Sequence, residues 1–333
     1  MSKNILIMGY GIVGHNLANE ISDLKPDVVD KYKTEYNTIR DIHYDLGFIC
    51  VDTPLKGDTL DISEVVKCLD EYDCEIYCIK STCPVGTVEA LTKKTGKKIV
   101  FSPEYAGNTK NCNNFNFDFT ILGGNPKVCE EIIQMLLPCY DGRHTFRVVE
   151  PKLAELVKFM ENSYLAIKVS FCNSFFNVCE KEGINYSQLR ELFILDPRVN
   201  PSHTFVFAET PFWNSHCLNK DVPAIANQYD MSFLQSLIRF NESQKELYKK
   251  EEIRVNIDTF ISGTKNDVIC DLSLAKAIQK RIREVYPDID DETLTKYFER
   301  ALAHIRKKEV NNNRKISRAR RLSLEPGFNR WNS

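Results

Sequence analysis

A glycine-rich turn near the start of the chain is the feature that most limits its fold. The apolar run ILIM leads directly into Gly9, Gly11 and Gly14, which form a G-x-G-x-x-G pattern and open a helical segment. In such a turn the first glycine makes the tight bend, the second lets the backbone approach a pyrophosphate, and the third lets helix and strand pack closely. Ile12 and Val13, at the helix N-terminus, then face the phosphates. The turn therefore predicts a strand-turn-helix unit that binds a dinucleotide.

The first 150 residues alternate short apolar runs with helical patterns. Alternation of this kind builds a parallel sheet that is covered by helices on both faces. We predict an α/β fold whose N-terminal domain, residues 1–150, is a Rossmann-like doubly wound parallel sheet. The connection from Asp30 to Phe48 is short and polar, without a long helix. The predicted strands lie at 4–9, 27–30, 47–52, 75–80, 97–102 and 118–124, and the predicted helices near 11–23, 62–71, 84–94 and 126–138.

After Glu150 the pattern becomes helical. Apolar residues recur at helical spacing from Leu153 to Val178, with Pro151 at the start and Gly183 at the end, which predicts one long helix. We predict an all-helical middle domain around this long central helix, then a small helical C-terminal extension and a basic, largely unstructured tail. The predicted domains are 151–250, 251–310 and 311–333, and further helices are predicted near 187–194, 221–249, 271–286 and 290–308.

Composition narrows the class of protein. No apolar run approaches the ~20 residues needed to span a bilayer, and the N-terminal apolar run reads as a strand rather than as a signal peptide. The chain has 12 cysteines, but none forms a C-x-x-C pair. Scattered thiols at apolar positions indicate a reduced protein rather than a disulfide framework. We therefore predict a cytoplasmic protein that has no membrane segment and no metal site.

An acidic residue after the second predicted strand bears on the choice of cofactor. Asp30 lies 21 residues after Gly9, where a carboxylate binds the ribose hydroxyls of a dinucleotide. A carboxylate there disfavours a 2′-phosphate, which favours NAD over NADP. Lys31 follows at once and is a cation that works against this preference. We predict NAD as the cofactor.

Two polar residues of the predicted long helix are candidates for the reaction site. Lys158 and Asn162 are spaced i, i+4 and share one helix face, with Glu155 one turn earlier. A lysine and an amide beside a nicotinamide can polarise, deprotonate or hold the hydroxyl that is oxidised. For a lone K-x-x-x-N pattern, a solvated helix face is the ordinary alternative. The position after a complete nucleotide-binding domain favours the active-site interpretation.

A series of separate motifs follows one order along the chain. They are GYGIVG at 9–14, FICVDTP at 48–54, IKSTCPVGT at 79–87, FSPEY at 101–105, AELVKFMENSYLAIKVSFCNSF at 154–175, DPR at 196–198 and HCLNKD at 216–221. This series resembles one family, the nucleotide-sugar dehydrogenases. The resemblance covers about the first 250 residues, and KST-x-PVGT together with HCL-x-KD makes it specific.

The resemblance implies a reaction and roles for site residues. The family oxidises a sugar primary alcohol to a carboxylate with two NAD. Cys217 would be the nucleophile that forms a thiohemiacetal and then a thioester, as suits a thiol. Lys158 and Asn162 would stabilise oxyanion charge, and Asp221 would flank the reacting centre. The resemblance further implies that Thr82 and Glu104 position water and move protons, and that Thr53 and Thr82 contact the cofactor. It implies that His216 is a variable neighbour rather than the base. The residues that it implies in contact with the substrate are Glu104, Lys158, Asn162 and Lys220.

The chain departs from the family pattern mainly where the substrate is bound. The family's glycine-rich loop before the cysteine is replaced by Pro211–Ser215, in which Phe212 and Asn214 cannot freely adopt positive φ. Asn108 stands where a second glutamate is common, and Asn219 replaces a proline. After residue 250 no second nucleotide-binding pattern follows, so we expect the family's third domain to be missing.

These departures leave several functions open. The residues of the reaction are retained together, which favours an active dehydrogenase for a nucleotide sugar or a smaller sugar. The alternative is an altered or inactive NAD-binding relative with a structural or nucleic-acid-contacting role, the latter through the basic tail 306–330. A β-hydroxyacid dehydrogenase is the third candidate, since that class shares the Rossmann-like domain and the long helix. We also predict a homodimer through the long helix near 152–183, as the family implies.

Overall fold

The computed structural model describes residues 3–105, 117–207 and 210–263, together with Arg283. Met1–Gln244 form one compact unit, and Lys245–Ser333 form a second. Asn108 lies outside the described residues. So do the helix predicted near 290–308, the basic tail 306–330 and, apart from Arg283, the helix predicted near 271–286.

A seven-stranded sheet forms the core of the first half of the chain, in the order β2-β1-β3-β6-β7-β8-β9. All neighbouring strands run parallel except β7 and β8, which pair antiparallel through Phe101 and Gly123. The predicted sheet is therefore confirmed as mainly parallel, with one reversed step. The strands are β1 Ile5–Met8, β2 Asp27–Val29, β3 Tyr44–Ile49, β4 Leu55–Lys56, β5 Thr59–Leu60, β6 Cys74–Ile79, β7 Lys98–Phe101, β8 Phe119–Gly123 and β9 Thr145–Val149, of which β4 and β5 form a separate antiparallel hairpin.

Both faces of the sheet are buried, as a doubly wound fold requires. Along β1, Ile5 and Ile7 pack into one apolar cluster, while Leu6 and Met8 pack into another on the opposite face. The helices are α1 Ile12–Glu20, α2 Ser63–Glu71, α3 Thr87–Thr95, α4 Pro126–Leu136, α5 Pro151–Glu182, α6 Tyr186–Phe193, α7 His216–Gln228 and α8 Ser232–Gly263, and short 3-10 turns lie at Ser22–Leu24, Thr34–Tyr36 and Leu137–Cys139. Helices α1 and α4 pack into the first cluster, and α2, α3 and the start of α5 pack into the second.

The long helix α5 begins and ends where its terminal residues predict. Pro151 is its first residue, a position where the missing N–H of proline costs nothing. Gly183 closes it in the left-handed conformation, with φ +68°, and its N–H donates to the carbonyl of Cys179. The prediction for this helix is confirmed. It carries Lys158 and Asn162, both of which are buried.

Two predictions from the sequence need correction. The single helix predicted at 221–249 is wrong, because the structure has α7 and α8 with a break at Tyr229–Met231. Asp230 takes φ +49° in this break, yet apolar residues continue at helical spacing through it, so the sequence pattern hid it. The edge strand β9 was also missed, since none of its five residues is fully buried.

No helix in the part of the chain that the structure describes is long and apolar enough to cross a membrane.

Candidate active site

The glycine turn after β1 has the geometry of a phosphate-binding loop. Gly9 has φ +96°, and a Cβ there would lie 2.6 Å from the carbonyl oxygen of Cys50. A Cβ at Gly14 would overlap the carbonyl of Gly9, so both positions require glycine for packing. A Cβ at Gly11 would meet nothing within 4 Å. The turn thus leaves open space at the second glycine, beside Ile12 at the start of α1, where a pyrophosphate would need it.

Asp30 is fixed against this turn by backbone donors. Its Oδ2 accepts from the Tyr10 N–H at 2.6 Å, and its Oδ1 accepts from Tyr32 and Lys33 at 2.8 Å each. Burial of the carboxyl opposes its ionisation, but the three backbone donors outweigh burial and lower the pKa of Asp30. Lys31 forms an ion pair with Glu64 of α2 at 2.7 Å. Asp30 is therefore an oriented carboxylate. The ammonium of the neighbouring Lys31 pairs with Glu64 rather than with Asp30.

A buried hydrogen-bond network joins α5 and α7 to the ends of β3 and β6. Asn162 donates from Nδ2 to Asp221 Oδ2 at 2.6 Å, and Lys220 donates from Nζ to Asp221 Oδ1 at 2.7 Å. Lys220 Nζ also lies 3.3 Å from the hydroxyl of Thr53, which in turn donates to the carbonyl of Thr82 at 2.7 Å. Asp221 is only 1% exposed. Five residues that the sequence singled out, far apart along the chain, thus form one connected set.

Cys217 lies on α7 directly before this network. It is the second residue of the helix, and Ser215 caps the helix by accepting from the Leu218 N–H at 3.2 Å. Of the ten cysteines that the structure describes, Cys217 is exposed, Cys139 is half-buried and the others are buried. Protein atoms around the sulfur desolvate the thiolate, and with Asp221 they raise the pKa of the Cys217 thiol. The helix N-terminus favours the thiolate.

Lys158 reaches the same region from α5. Its side chain is 11% exposed, and its Nζ lies 2.6 Å from Glu161 Oε2 and 5.1 Å from the ring centroid of Tyr105. The sequence interpretation did not include Glu161. Its position three residues after Lys158 was the available signal, because i, i+3 residues share a helix face.

Glu104 is held by a different partner, which the sequence interpretation also missed. Lys80 Nζ lies 3.3 Å from Glu104 Oε2, and both side chains are largely buried. Burial opposes the charge on Lys80, but the Glu104 carboxylate outweighs burial and raises the pKa of the lysine. Lys80 belongs to the same IKSTCPVGT segment as Thr82. The carboxylate of Glu104 is therefore oriented by the end of β6.

The comparisons with known proteins agree with this arrangement. The model of the UDP-glucose/GDP-mannose dehydrogenase family, central domain, matches residues 152–243, which include Lys158, Asn162, Cys217 and Asp221. This match supports the resemblance to the nucleotide-sugar dehydrogenases over residues 152–243. Two UDP-glucose 6-dehydrogenases are among its relatives: that of Rickettsia prowazekii (strain Madrid E) is 30% identical over 262 residues, 73% of this chain and 58% of the relative. That of Rickettsia bellii (strain RML369-C) is 29% identical over 235 residues, 65% of this chain and 53% of the relative.

A solved structure shares the fold. The UDP-glucose dehydrogenase from the hyperthermophilic archaeon Pyrobaculum islandicum aligns with a TM-score of 0.63 at 19% identity, and the alignment covers 79% of this chain and 72% of that one. This likeness extends to the fold alone. The chain spans a little over half the length of the two curated relatives, 53% and 58%.

The segment where the chain departs from the family motif is firmly anchored. Trp213 is 4% exposed, and its indole N–H donates to the hydroxyl of Ser170 at 3.0 Å. Its backbone N–H and carbonyl both bond the side-chain amide of Asn241, at 3.0 Å each. No residue of Pro211–Ser215 has positive φ. The segment therefore does not need the glycines of the family motif, because Trp213 fixes its path.

Glu155, one turn before Lys158, has a structural task. Its side chain is fully buried and accepts from the N–H groups of Gly86, at 2.6 Å, and Val88, at 2.9 Å. Burial raises the pKa of Glu155 although these backbone donors oppose the rise. The contacts cap α3 and join α5 to the loop that follows β6. In the part of the chain that the structure describes, no cluster of three or more His, Cys, Asp or Glu is arranged to hold a metal ion.

Proposed function

We propose that the chain is an NAD-dependent oxidoreductase that oxidises the primary alcohol of a nucleotide sugar, or of a smaller sugar, to a carboxylate through Cys217. The observation that carries this proposal is the buried network of Asn162, Lys220, Asp221 and Thr53 next to an exposed cysteine at a helix N-terminus. Buried charged side chains cost stability unless they are paired and positioned with care. Such a costly arrangement beside an exposed thiol favours catalysis over a passive binding role.

The glycine turn and Asp30 support NAD as the cofactor. The open space at Gly11 suits a pyrophosphate, and the three backbone donors hold the carboxylate of Asp30 in its charged form. A carboxylate has about four acceptor positions, so Asp30 remains an acceptor or partner for ribose hydroxyls. When bound, NAD accepts a hydride from the carbon that is oxidised.

The residues of α5 and α7 support a sequence of steps at one carbon. The first oxidation gives an aldehyde. The Cys217 thiolate attacks it, a C–S bond forms, and the carbonyl π electrons move to oxygen, where the Lys158 ammonium and the Asn162 amide stabilise the oxyanion. Loss of a second hydride from this thiohemiacetal leaves a thioester. Water then breaks the C–S bond, supplies the second carboxylate oxygen and returns the thiol.

Glu104 and Thr82 are suited to the hydrolysis of the thioester. Lys80 orients the Glu104 carboxylate at 3.3 Å, and a fixed carboxylate can accept a proton from the attacking water. Thr82 is half-buried, and its carbonyl is held by Thr53, which leaves its hydroxyl as a donor for water or cofactor. Lys220 is engaged with Asp221 and Thr53, so we assign it to orienting the network beneath the substrate.

An exposed apolar face on α5 supports a homodimer. Large side chains recur at helical spacing along one side of the helix, and a long apolar stripe in contact with water marks an interaction site. Because α5 also carries Lys158 and Asn162, a second copy on this face would brace the site. The exposed residues are Leu153, Leu156, Met160, Tyr164, Phe171, Phe175 and Val178. Light scattering should show a dimer, and Met160→Glu should weaken it.

A substrate assay separates the candidate functions. The purified full chain is supplied with NAD and a panel of UDP- and GDP-sugars, and NADH is followed against sugar consumed. We expect two NADH for each sugar oxidised. Cys217→Ser should stop after the first oxidation or lose turnover, whereas Cys139→Ser, which alters a half-buried thiol elsewhere, should behave as the wild type.

Other outcomes would favour the alternatives. NAD binding without oxidation of any nucleotide sugar would contradict the proposal and leave an inactive relative. Oxidation of a β-hydroxyacid that is unaffected by Cys217→Ser would indicate a β-hydroxyacid dehydrogenase, because that reaction ends at the carbonyl and needs no thiol. A salt-dependent shift with DNA or RNA, lost on truncation at residue 310, would support the nucleic-acid role.

A further inference from the structure

A further carboxylate stands at the candidate site, besides those of Asp221 and Glu104. Glu161 lies one turn after Lys158 on α5, and its Oε2 is 2.6 Å from the lysine Nζ. Its side chain is 27% exposed, whereas the carboxylate of Asp221 is 1% exposed. The motifs that match the family gave Glu161 no task, yet it is the residue that holds the Lys158 ammonium.

The charges around Cys217 form two pairs. On α7, Lys220 pairs with Asp221 at 2.7 Å, and on α5, Lys158 pairs with Glu161 at 2.6 Å. The two lysines favour the thiolate of Cys217, whereas Asp221 and Glu161 oppose it. Among the described residues, the titratable groups near these pairs include His216, which lies 3.3 Å from Asp52, and Tyr105, whose ring faces Lys158. The charges of Glu161, Lys80 and Glu104 in turn act on Tyr105.

The two pairs differ in how firmly they are fixed. Asp221 also accepts from Asn162 at 2.6 Å inside the protein, so its position is determined by the fold. Glu161 lies at the margin of the site, where its carboxylate and Lys158 form an i, i+3 pair. An ammonium has three N–H donors. The N–H of Lys158 that donates to Glu161 fixes the direction of the other two N–H groups.

We propose that Glu161 is a positioning residue that holds the Lys158 ammonium and offsets its charge at Cys217, and thereby sets the reactivity of the thiol before substrate binds. A thiolate reacts and a thiol does not, so a partly neutralised Lys158 keeps the unliganded cysteine less reactive. An oxyanion formed on the substrate then meets an ammonium that is already oriented. This inference deepens the proposed function and rests on it only for the role of Cys217 as nucleophile.

The test measures the thiol directly and needs no sugar. The full chain is treated with iodoacetamide over a range of pH, and the alkylation of Cys217 is followed by peptide mass spectrometry, with the half-buried Cys139 as internal reference. In the reaction the sulfur displaces iodide and the thiol proton passes to solvent. For Glu161→Gln we expect the midpoint of the pH–rate profile to fall, with a rate below the midpoint about threefold higher, since half a pKa unit corresponds to that ratio.

Matched variants separate charge from folding. Glu161→Asp retains the carboxylate and should stay close to the wild type. Glu180→Gln, which alters an exposed glutamate near the end of the same helix, should leave the profile unchanged. Thermal melting checks that each variant is folded. An unchanged midpoint in Glu161→Gln, or an equal shift in Glu180→Gln, would overturn the inference.

The outcome is independent of the sugar assay. If no nucleotide sugar is oxidised, the proposed function fails, while a lowered midpoint in Glu161→Gln still supports the electrostatic coupling of Glu161 to Cys217. If sugar is oxidised and the midpoint does not move, only the inference about Glu161 fails.

Discussion

Two segments of this chain lead into a helix at the carboxyl edge of the sheet, and they are built in opposite ways. The turn that runs from Gly9 into the first residues of α1 uses small residues, and the space beside Gly11 stays open. The segment Pro211–Ser215 before α7 uses a large one, because Trp213 fills the space against Ala166, Leu218 and Val222. The first segment keeps room for a ligand, and the second fixes the start of the helix that carries Cys217.

The difference shows which parts of a family motif the fold can replace. At Gly9 and Gly14 a Cβ would strike backbone atoms, so no other residue can take their place without movement of the main chain. In Pro211–Ser215 the backbone has no positive φ, and side-chain contacts hold the segment in place. Loss of glycines there alters what the segment can wrap around, and Cys217 remains in position because Trp213 and Ser215 support it.

The largest expected effect follows from removing the anchor. Trp213→Ala should lower the free energy of unfolding by about 3–5 kcal/mol, the usual cost of deleting a buried aromatic side chain. Chemical denaturation of the purified chain measures it. Phe233→Ala is the matched control, since Phe233 is 62% exposed on the neighbouring helix α8, and it should cost less than about 0.5 kcal/mol. Equal losses in the two variants would show that Trp213 does not hold the segment.

Two substitutions in the glycine turn should have different effects, one on the free energy of unfolding and the other on the affinity for NAD. Gly14→Ala places a methyl group on the carbonyl of Gly9, and overpacking of this kind should cost about 1–3 kcal/mol of unfolding free energy. Gly11→Ala meets nothing in the protein, so its stability should stay within about 1 kcal/mol of the wild type. Its affinity for NAD should fall about tenfold or more, because the methyl group occupies the space that the pyrophosphate needs.

Denaturation and NAD titration of the same preparations check both halves of this prediction. An affinity for NAD in Gly11→Ala equal to that of the wild type would show that the open space beside Gly11 is not where the dinucleotide binds.

Most of the fold and the main residues of the candidate site could be predicted from the sequence, because their signals are local. The strand before the glycine turn, the helix from Pro151 to Glu182 and the HCLNKD segment each carry their own pattern. The break at Asp230 was hidden, since the apolar spacing runs on through it. The reversed pairing of β7 and β8 also leaves no trace within either strand, because strand direction depends on the path of the connection.

The missed residues share one physical reason. Lys80 and Glu161 matter through partners, Glu104 and Lys158, that the fold brings within hydrogen-bond distance. Lys80 has no type or spacing that marks it on its own, and the only signal for Glu161 was its i, i+3 spacing from Lys158. Trp213 likewise anchors its segment through Ser170 of α5 and Asn241 of α8. Sequence motifs indicated the reacting groups, and the contacts that hold them became visible in three dimensions.

A milder change at the anchor isolates one hydrogen bond. Trp213→Phe keeps most of the apolar contact but removes the indole N–H that Ser170 accepts at 3.0 Å. The free energy of unfolding should fall by about 1 kcal/mol, the net worth of a typical buried hydrogen bond, plus a smaller packing loss. Ser170→Ala removes the other partner and is the matched variant. If the double variant loses the sum of the two single losses, the bond does not couple the residues.

The smallest effect concerns the charge that faces the glycine turn. The three backbone donors lower the pKa of Asp30 below its ordinary value of 3.8, despite the opposing effect of burial. A carboxyl whose pKa is lower in the folded state stabilises the fold fully above the ordinary pKa, and this stabilisation is lost as pH falls through the lowered one. Asp30→Asn should therefore be less stable than the wild type near neutral pH, by less than about 1 kcal/mol because the group is partly exposed. The difference should shrink below about pH 4.

Denaturation at a series of pH values measures this difference in stability, and Asp23→Asn, at an exposed position of the same domain, serves as the control. A difference that does not vary with pH would mean that Asp30 acts through its shape and not through its charge.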